Sequence, residues 1–163
     1  MKRNNKKGFT LVELLAVIVI LAVVVLIAMT AVVPQMNKAR VESFVTEANK
    51  YIQAATNYYT DAQLKGTGMP SNGGCVKIST LNNGYIDKKD TNYEGYVNIV
   101  VSGNTATYSI ALDNGNFHTC KTKANDGTCT AYELTASEIK ADNILTGNAD
   151  LSNSTPSGVS SCY

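Results

Sequence analysis

The sequence has no tryptophan, one histidine in 163 residues, and no surplus of basic residues. Its 14 Lys and Arg are nearly balanced by 13 Asp and Glu, giving a formal net charge of +1. Four of these cations lie in residues 1–8, so the remaining chain has 10 cations against 13 anions, a net charge of −3. Strong nonspecific nucleic-acid binding needs a basic face, and the composition gives it little support.

Short motifs typical of enzyme sites are also missing. The chain has no Gly-x-Ser-x-Gly, no Gly-x4-Gly-Lys and no His-Glu-x-x-His. No base–nucleophile constellation accompanies His118, so a structural or exposed role is the simpler interpretation. Residues 113–116 (DNGN) lack the later glutamate of an EF-hand loop, and a hairpin turn explains them better than calcium. We predict that the protein is not an enzyme and has no cofactor or metal.

The chain does have a long apolar run near its N-terminus. Residues 14–29 contain no polar side chain, and residues 31–33 extend the run beyond Thr30. Twenty helical residues span roughly 30 Å, the hydrocarbon thickness of a bilayer. Residues 1–7 carry four cations and no anion, which favours a cytoplasmic N-terminus. This pattern predicts a single membrane-spanning helix.

A cleaved secretory signal peptide is the alternative for the same residues. Its apolar region would be about 7–15 residues long and would end at a small-x-small cleavage site. The run in this chain is longer, and apolar residues continue beyond the poor site at residues 28–31 (AMTA). The membrane-spanning helix is therefore the better interpretation.

Glu13 is the one charged residue in the first part of this segment. A carboxylate within a membrane helix costs a few kcal/mol and normally has a partner or a function. At headgroup depth, the macrodipole at the helix N-terminus would instead stabilise the anion. Charge alone leaves both explanations open.

The residues around Glu13 resemble a known family. The segment KKGFTLVELL (residues 6–15) is similar to the class III signal sequence of type IV pilins and pseudopilins. It has a short basic leader ending in Gly8, then Phe9, then a glutamate before the long apolar run. The continuation LAVIVIL (residues 15–21) looks like versions common in Gram-positive bacteria, and the strict resemblance covers about residues 6–29.

The resemblance implies how the N-terminus is processed and used. A prepilin peptidase would cleave after Gly8 and N-methylate the new amine of Phe9, giving N-methylphenylalanine. Glu13 would then face the Phe9 amine of a neighbouring subunit during assembly. An unpaired buried charge is strongly unfavourable, so this pair would act as a register check. Other implied partners are the assembly ATPase, the platform protein and, before assembly, membrane lipid; no specific nucleic acid is predicted.

Beyond Pro34 the pattern becomes amphipathic. Apolar residues recur at helical spacing from Val41 to Ala62, which predicts a helical face packed against a sheet. Gly66 and the Gly and Pro that follow it predict the end of a helix covering residues 9–64. Pro34 has no N–H and can kink or locally melt such a helix.

The rest of the chain contains strand patterns. Residues 95–101, 106–112 and 116–121 are separated by Gly-Asn and Asn-Gly turns, which predicts an antiparallel meander. We also expect a short strand at 75–78, a fourth meander strand at 130–134, a short helix at 137–143 and a loop at 152–158. A long N-terminal helical spine packed on an antiparallel β-sheet head is an α+β fold, similar to type IV pilins.

Four segments follow from these patterns. They are a prepilin leader (residues 1–8), a transmembrane or filament-core helix (9–33), an amphipathic half of the helix (34–65), and a globular β-sheet head with a C-terminal disulfide loop (66–163).

The four cysteines are candidates for two disulfides. They are Cys75, Cys120, Cys129 and Cys162; no spacing is C-x2-C, and a single histidine does not complete a usual zinc set. A head outside the cytoplasm favours disulfides, and four cysteines allow three pairings. The resemblance to pilins, many of which have a disulfide-bounded C-terminal region, implies Cys129–Cys162 and therefore Cys75–Cys120.

The sequence thus predicts a structural subunit of an extracellular type IV pilus, stored in the cytoplasmic membrane and polymerised through its N-terminal helix. One alternative is a minor pilin or a pseudopilin of a type II secretion or competence system. Another is a membrane-anchored binding domain that never polymerises and keeps residues 1–8. A Leu-Pro-x-Thr-Gly sorting signal is missing, which argues against a sortase-built pilus. Adhesion, motility, DNA uptake and secretion stay open as roles of the filament.

Overall fold

The computed structural model describes residues 9–86, 92–157 and 159–163. The helices are α1 (Leu11–Lys65) and the short α2 (Ile78–Leu81). The strands are β1 (Gly73–Lys77), β2 (Glu94–Ser102), β3 (Thr105–Asp113), β4 (Phe117–Thr119), β5 (Thr122–Lys123), β6 (Cys129–Ala131), β7 (Leu134–Thr135) and β8 (Ile144–Thr146), with a 3-10 turn at Ala141–Asn143. The α+β class with a helix packed on an antiparallel sheet is confirmed.

Helix α1 has 55 residues and agrees closely with the predicted range. It continues through Pro34 without local melting. Its end is a Schellman motif: Gly66 has φ +66°, and the Thr67 N–H donates to the Ala62 carbonyl at 3.2 Å. The glycine stop that the sequence predicts is therefore confirmed.

The chain divides into two compact units, Met1–Ala39 and Arg40–Tyr163. In the first unit, every described residue is exposed. The second unit contains the hydrophobic core, in which one face of α1 packs against the sheet. The buried helix residues are Phe44, Ala48, Tyr51, Ile52, Ala54, Ala55 and Ala62. The predicted apolar stripe therefore does pack against the sheet.

The main sheet has the order β1-β2-β3-β4-β8, and β7 pairs with β3 beside β4. All neighbours are antiparallel, and β2 and β3 pair without interruption from Glu94↔Asp113 to Ser102↔Thr105. The predicted meander is confirmed, although its third strand is shortened to β4. Val97, Ile99 and Ile110 lie in the core, so the alternate residues of β2 and β3 form the opposite face, called here the outer face of the sheet.

Several expectations for the second half of the head were wrong. Residues 130–134 do not form one strand, because β6 pairs with β5 in a separate two-stranded sheet while β7 pairs with β3. The predicted helix at 137–143 is reduced to the 3-10 turn, and Ile78 begins α2 instead of extending β1. Strand β8 was not predicted. Short segments whose partners are distant in sequence carry little local pattern.

The predicted disulfide pairing was also wrong. The structure joins Cys75 to Cys162, with Cα atoms 4.8 Å apart, and Cys120 to Cys129, with Cα atoms 5.7 Å apart. Cys162 reaches Cys75 because Tyr163 lies along β1: its N–H donates to the Cys75 carbonyl at 3.0 Å, and the Lys77 N–H donates to its carbonyl at 2.9 Å. The second disulfide closes the β5–β6 hairpin, where the Lys121 N–H donates to the Ala131 carbonyl at 2.7 Å. No local pattern indicates that the chain returns to β1.

Candidate functional site

The first turn of α1 contains Glu13, the charged residue of the apolar segment. Thr10 immediately precedes Leu11, the first helical residue, and so occupies the N-cap position. Its backbone N–H and its hydroxyl both donate to Oε2 of Glu13, each at 2.9 Å. The Glu13 N–H in turn donates to the Thr10 hydroxyl oxygen at 3.3 Å. This reciprocal arrangement is a capping box, which satisfies otherwise unpaired donors at a helix start.

The capping box gives Glu13 a partner within its own chain. Its carboxylate lies at the positive end of the helix dipole, where an anion is stabilised. The sequence contains the Thr-x-x-Glu spacing of this motif, at Thr10 and Glu13. Sequence reasoning identified Glu13 from its charge and missed Thr10, which orients it.

Phe9 lies beside this turn and is 89% exposed. Together with Glu13, Leu14, Val17 and Ile18 it lines a shallow groove of about 290 Å³ along the start of the helix. The structure therefore brings the predicted assembly residues Phe9 and Glu13 to one surface. Gly8, the residue expected to precede the cleaved bond, lies outside the described residues, as does the rest of the predicted leader.

The surface that continues from this groove is apolar and uncovered. All residues from Phe9 to Arg40 are exposed. An 18-residue window of α1 has a mean hydropathy of 3.3, none of it is buried, and the helix is long and apolar enough to cross a membrane. Soluble monomers rarely expose contiguous apolar surface on this scale, which marks a membrane or protein interaction surface.

The comparisons with known proteins bear on this same segment. Residues 3–29 match the family model described as the prokaryotic N-terminal methylation motif. No curated protein and no solved structure gives a significant match to the chain. The family match is thus confined to the N-terminal segment, and it includes Gly8, Phe9 and Glu13.

This motif is the type IV prepilin signal, and it implies processing by a prepilin peptidase followed by pilin assembly. Its apolar helix fits anchoring in a membrane before assembly. The head contains two disulfides and an antiparallel sheet on which the C-terminal part of α1 packs. This architecture is type IV pilin-like. The methylation motif at residues 3–29 supports a relationship of the chain to type IV pilins and pseudopilins.

Proposed function

We propose that the protein is a structural subunit of an extracellular type IV pilus, stored in the cytoplasmic membrane and polymerised through its N-terminal helix. The observation that carries the proposal is the exposed apolar surface of residues 9–37, in which Glu13 is the single charged residue. Lipid covers this surface before assembly, and copies of the same helix cover it in the filament. Burial of apolar surface is the main favourable term in such association.

Glu13 supplies the specificity of this association. The two hydrogen bonds from Thr10 solvate one carboxylate oxygen but leave the net negative charge in place. Cleavage after Gly8 creates a cationic amine on Phe9, and the Phe9 amine of a neighbouring subunit neutralises Glu13 on docking. A misplaced subunit leaves a charge unpaired in an apolar environment, which is strongly unfavourable.

The first test is intact mass and N-terminal sequencing of protein from the native host. We expect a chain that starts at Phe9, carries one added methyl group, and is four hydrogens lighter than the reduced form because of its two disulfides. A chain starting at Met1 contradicts the proposal and favours a membrane-anchored domain that does not polymerise.

The second test separates insertion from assembly. We expect Glu13→Ala to leave membrane insertion and cleavage intact while strongly reducing the protein in sheared filaments. Glu42→Ala is the matched control, since Glu42 is an exposed carboxylate on the same helix outside the apolar segment. Unchanged piliation in Glu13→Ala would count against the pairing. A wild-type protein that is scarce in sheared filaments would indicate the minor pilin or pseudopilin alternative.

A further inference from the structure

The outer face of the sheet carries a row of polar residues. Asn98 on β2 lies directly opposite Ser109 on β3, and Ser109 lies opposite Thr135 on β7. These three residues form one row across three strands, on the face away from the core residues Val97 and Ile110. Polar side chains in such a row place hydrogen-bonding groups at the spacing of neighbouring strands, about 4.7–4.9 Å.

Two other segments complete the lining of a cavity over this row. One is the disulfide-closed hairpin with the residues after it, through Lys121 and residues 130–133; the other is the C-terminal tail, through Leu151 and residues 154–157. Together they enclose an open cavity of about 540 Å³. This volume lies within the range of about 300–1,000 Å³ that is typical of small-molecule sites.

The chemistry of the lining is dominated by hydroxyl groups. They belong to Tyr96, Ser109, Thr130, Tyr132, Thr135, Ser154, Thr155 and Ser157. The lining has one carboxylate, from Glu133, and one ammonium, from Lys121. The formal charges of the lining therefore sum to zero, and the partners of each charged group decide how it presents to a ligand.

Glu133 is held in a fixed orientation within this lining. The Tyr96 hydroxyl donates to its Oε1 at 2.8 Å, and the Ser109 hydroxyl donates to its Oε2 at 3.1 Å. A carboxylate has about four acceptor positions, so both oxygens keep capacity for a further donor. Tyr96 is 5% exposed, and burial followed by the hydrogen bond to Glu133 raises the pKa of its phenol, which therefore stays a donor at neutral pH.

The ammonium of Lys121 is oriented too. Its Nζ lies 3.1 Å from Oε1 of Glu138, a residue outside the cavity lining. The Lys121 cation is thus paired with a residue outside the lining, while Glu133 is oriented by two hydroxyls within the lining. The hydroxyls of Thr130, Thr135 and Thr155 also donate within the chain and keep acceptor capacity for a ligand. The Asn98 amide and the Ser154 and Ser157 hydroxyls supply donors, and Glu133 supplies oriented acceptor oxygens.

We propose that this cavity binds a neutral pyranose sugar. Sugar hydroxyls act as donors and acceptors at once, and the hydroxyls, the Asn98 amide and the Glu133 carboxylate match that combination. Tyr132 adds ring surface for the apolar C–H groups of the sugar. An anionic ligand would meet no unpaired cation, because Lys121 is paired with Glu138. All residues of the site lie in the second compact unit, outside the apolar segment that is proposed to drive assembly.

The test uses the full chain in lauryldimethylamine oxide micelles, since a sugar-based detergent would compete for the site. Amide chemical shifts are followed during titration with methyl α-glucoside, methyl β-galactoside and N-acetylglucosamine, with glucuronate as the anionic probe. We expect at least one neutral sugar to shift the amides of Asn98, Ser109 and Thr135. We expect glucuronate, which would bring a second carboxylate towards Glu133, to bind at least tenfold more weakly.

Two variants locate the binding site. Glu133→Gln removes the oriented carboxylate and should weaken binding at least tenfold. Ser157→Trp places a large ring at the exposed rim without changing the hydrogen bonds of Glu133, and it should weaken binding similarly. Ser157→Trp still decides the question if Glu133→Gln does not fold.

Asn153→Trp is the matched control, since Asn153 is an exposed tail residue outside the cavity lining. It should bind as the wild type does. The proposal is overturned if no neutral sugar shifts these amides, if glucuronate binds as tightly as the neutral sugars, or if Asn153→Trp weakens binding as much as Ser157→Trp. These results do not depend on filament formation, so they can fail separately from the pilus proposal.

Discussion

The backbone N–H of Thr10 lies 2.9 Å from Oε2 of Glu13, across the first turn of α1. The same oxygen accepts the Thr10 hydroxyl at an equal distance. A residue expected to meet a neighbouring subunit is thus already oriented by its own chain. Thr10 thereby connects the local stability of the helix start with the position of the charge proposed to guide assembly.

The first prediction concerns this cap. Thr10→Ala removes the hydroxyl that both donates to Glu13 and accepts from its N–H. Loss of an N-cap side chain costs about 1 kcal/mol, so the first turn should open more often. Hydrogen exchange in micelles should become several-fold faster at the amides of Glu13 and Leu14, which donate to the Thr10 hydroxyl and the Thr10 carbonyl. Thr10→Ser keeps the hydroxyl and should exchange as the wild type does; equal exchange in all three proteins would contradict this role for Thr10.

The second prediction compares the disulfides. Cys75–Cys162 spans 87 residues and Cys120–Cys129 spans 9. In the chain-entropy model, the longer loop gives about 4–5 kcal/mol of stabilisation and the shorter about 2–3 kcal/mol. The Cys75→Ala/Cys162→Ala variant should therefore lose more free energy of unfolding than Cys120→Ala/Cys129→Ala. Urea denaturation in micelles measures the difference, and the opposite order would show that loop closure is not the dominant effect.

The third prediction concerns Gly95 in β2. It has φ +120°, and a Cβ at this position would overlap the carbonyl oxygen of Ala111 on β3. Gly95→Ala should lower the free energy of unfolding by roughly 2–4 kcal/mol, through overpacking and backbone strain. Gly103→Ala is the control: its φ is +60° but a Cβ there meets open space, so it should cost only about 1 kcal/mol. Equal losses in urea denaturation would mean that the contact with Ala111 relaxes freely.

The fourth prediction concerns acid stability. The N–H of Thr135, its hydroxyl and then Lys121 lower the pKa of Glu138 below its ordinary value of 4.5. The unfolded chain therefore binds the proton more tightly, so the stabilisation is fully present above pH 4.5 and is lost as the pH falls through the lower folded pKa. Glu138→Gln should show a shallower loss of stability below pH 4.5.

Asp142→Asn is the control for this acid titration, because it removes an exposed carboxylate from the neighbouring 3-10 turn. Its denaturation midpoint should follow the wild-type pH dependence. If Glu138→Gln and the wild type lose stability in parallel on acidification, the Thr135 and Lys121 contacts do not contribute to acid sensitivity.

The parts of the fold that the sequence predicted are those with long regular patterns. Helix α1 follows from an unbroken apolar run joined to a 3.6-residue stripe that includes Phe44 and Ala48, and its end follows from Gly66. Strands β2 and β3 have nine residues each, are rich in β-branched and aromatic residues, and flank a Gly-Asn turn. In these elements, neighbouring residues alone specify the conformation.

The remaining parts depend on contacts between residues distant in the sequence. Nothing near Cys162 indicates that Tyr163 pairs with β1, so the disulfides could not be assigned from spacing. Strands β7 and β8 have two and three residues, too few to show a period, and the partners of both come earlier in the chain. In the candidate site, the sequence shows the charge of Glu13, but only the structure shows that Thr10 orients its carboxylate.

The pairing of Tyr163 with β1 also protects the sheet. Strand β1 is the last strand at one side, and its exposed backbone groups would otherwise offer a template to a strand from another molecule. The Cys75 carbonyl and the Lys77 N–H are instead engaged by Tyr163, which Cys162 fastens in place. When many copies are brought close together, contact between heads along the β1 edge is therefore left to side chains.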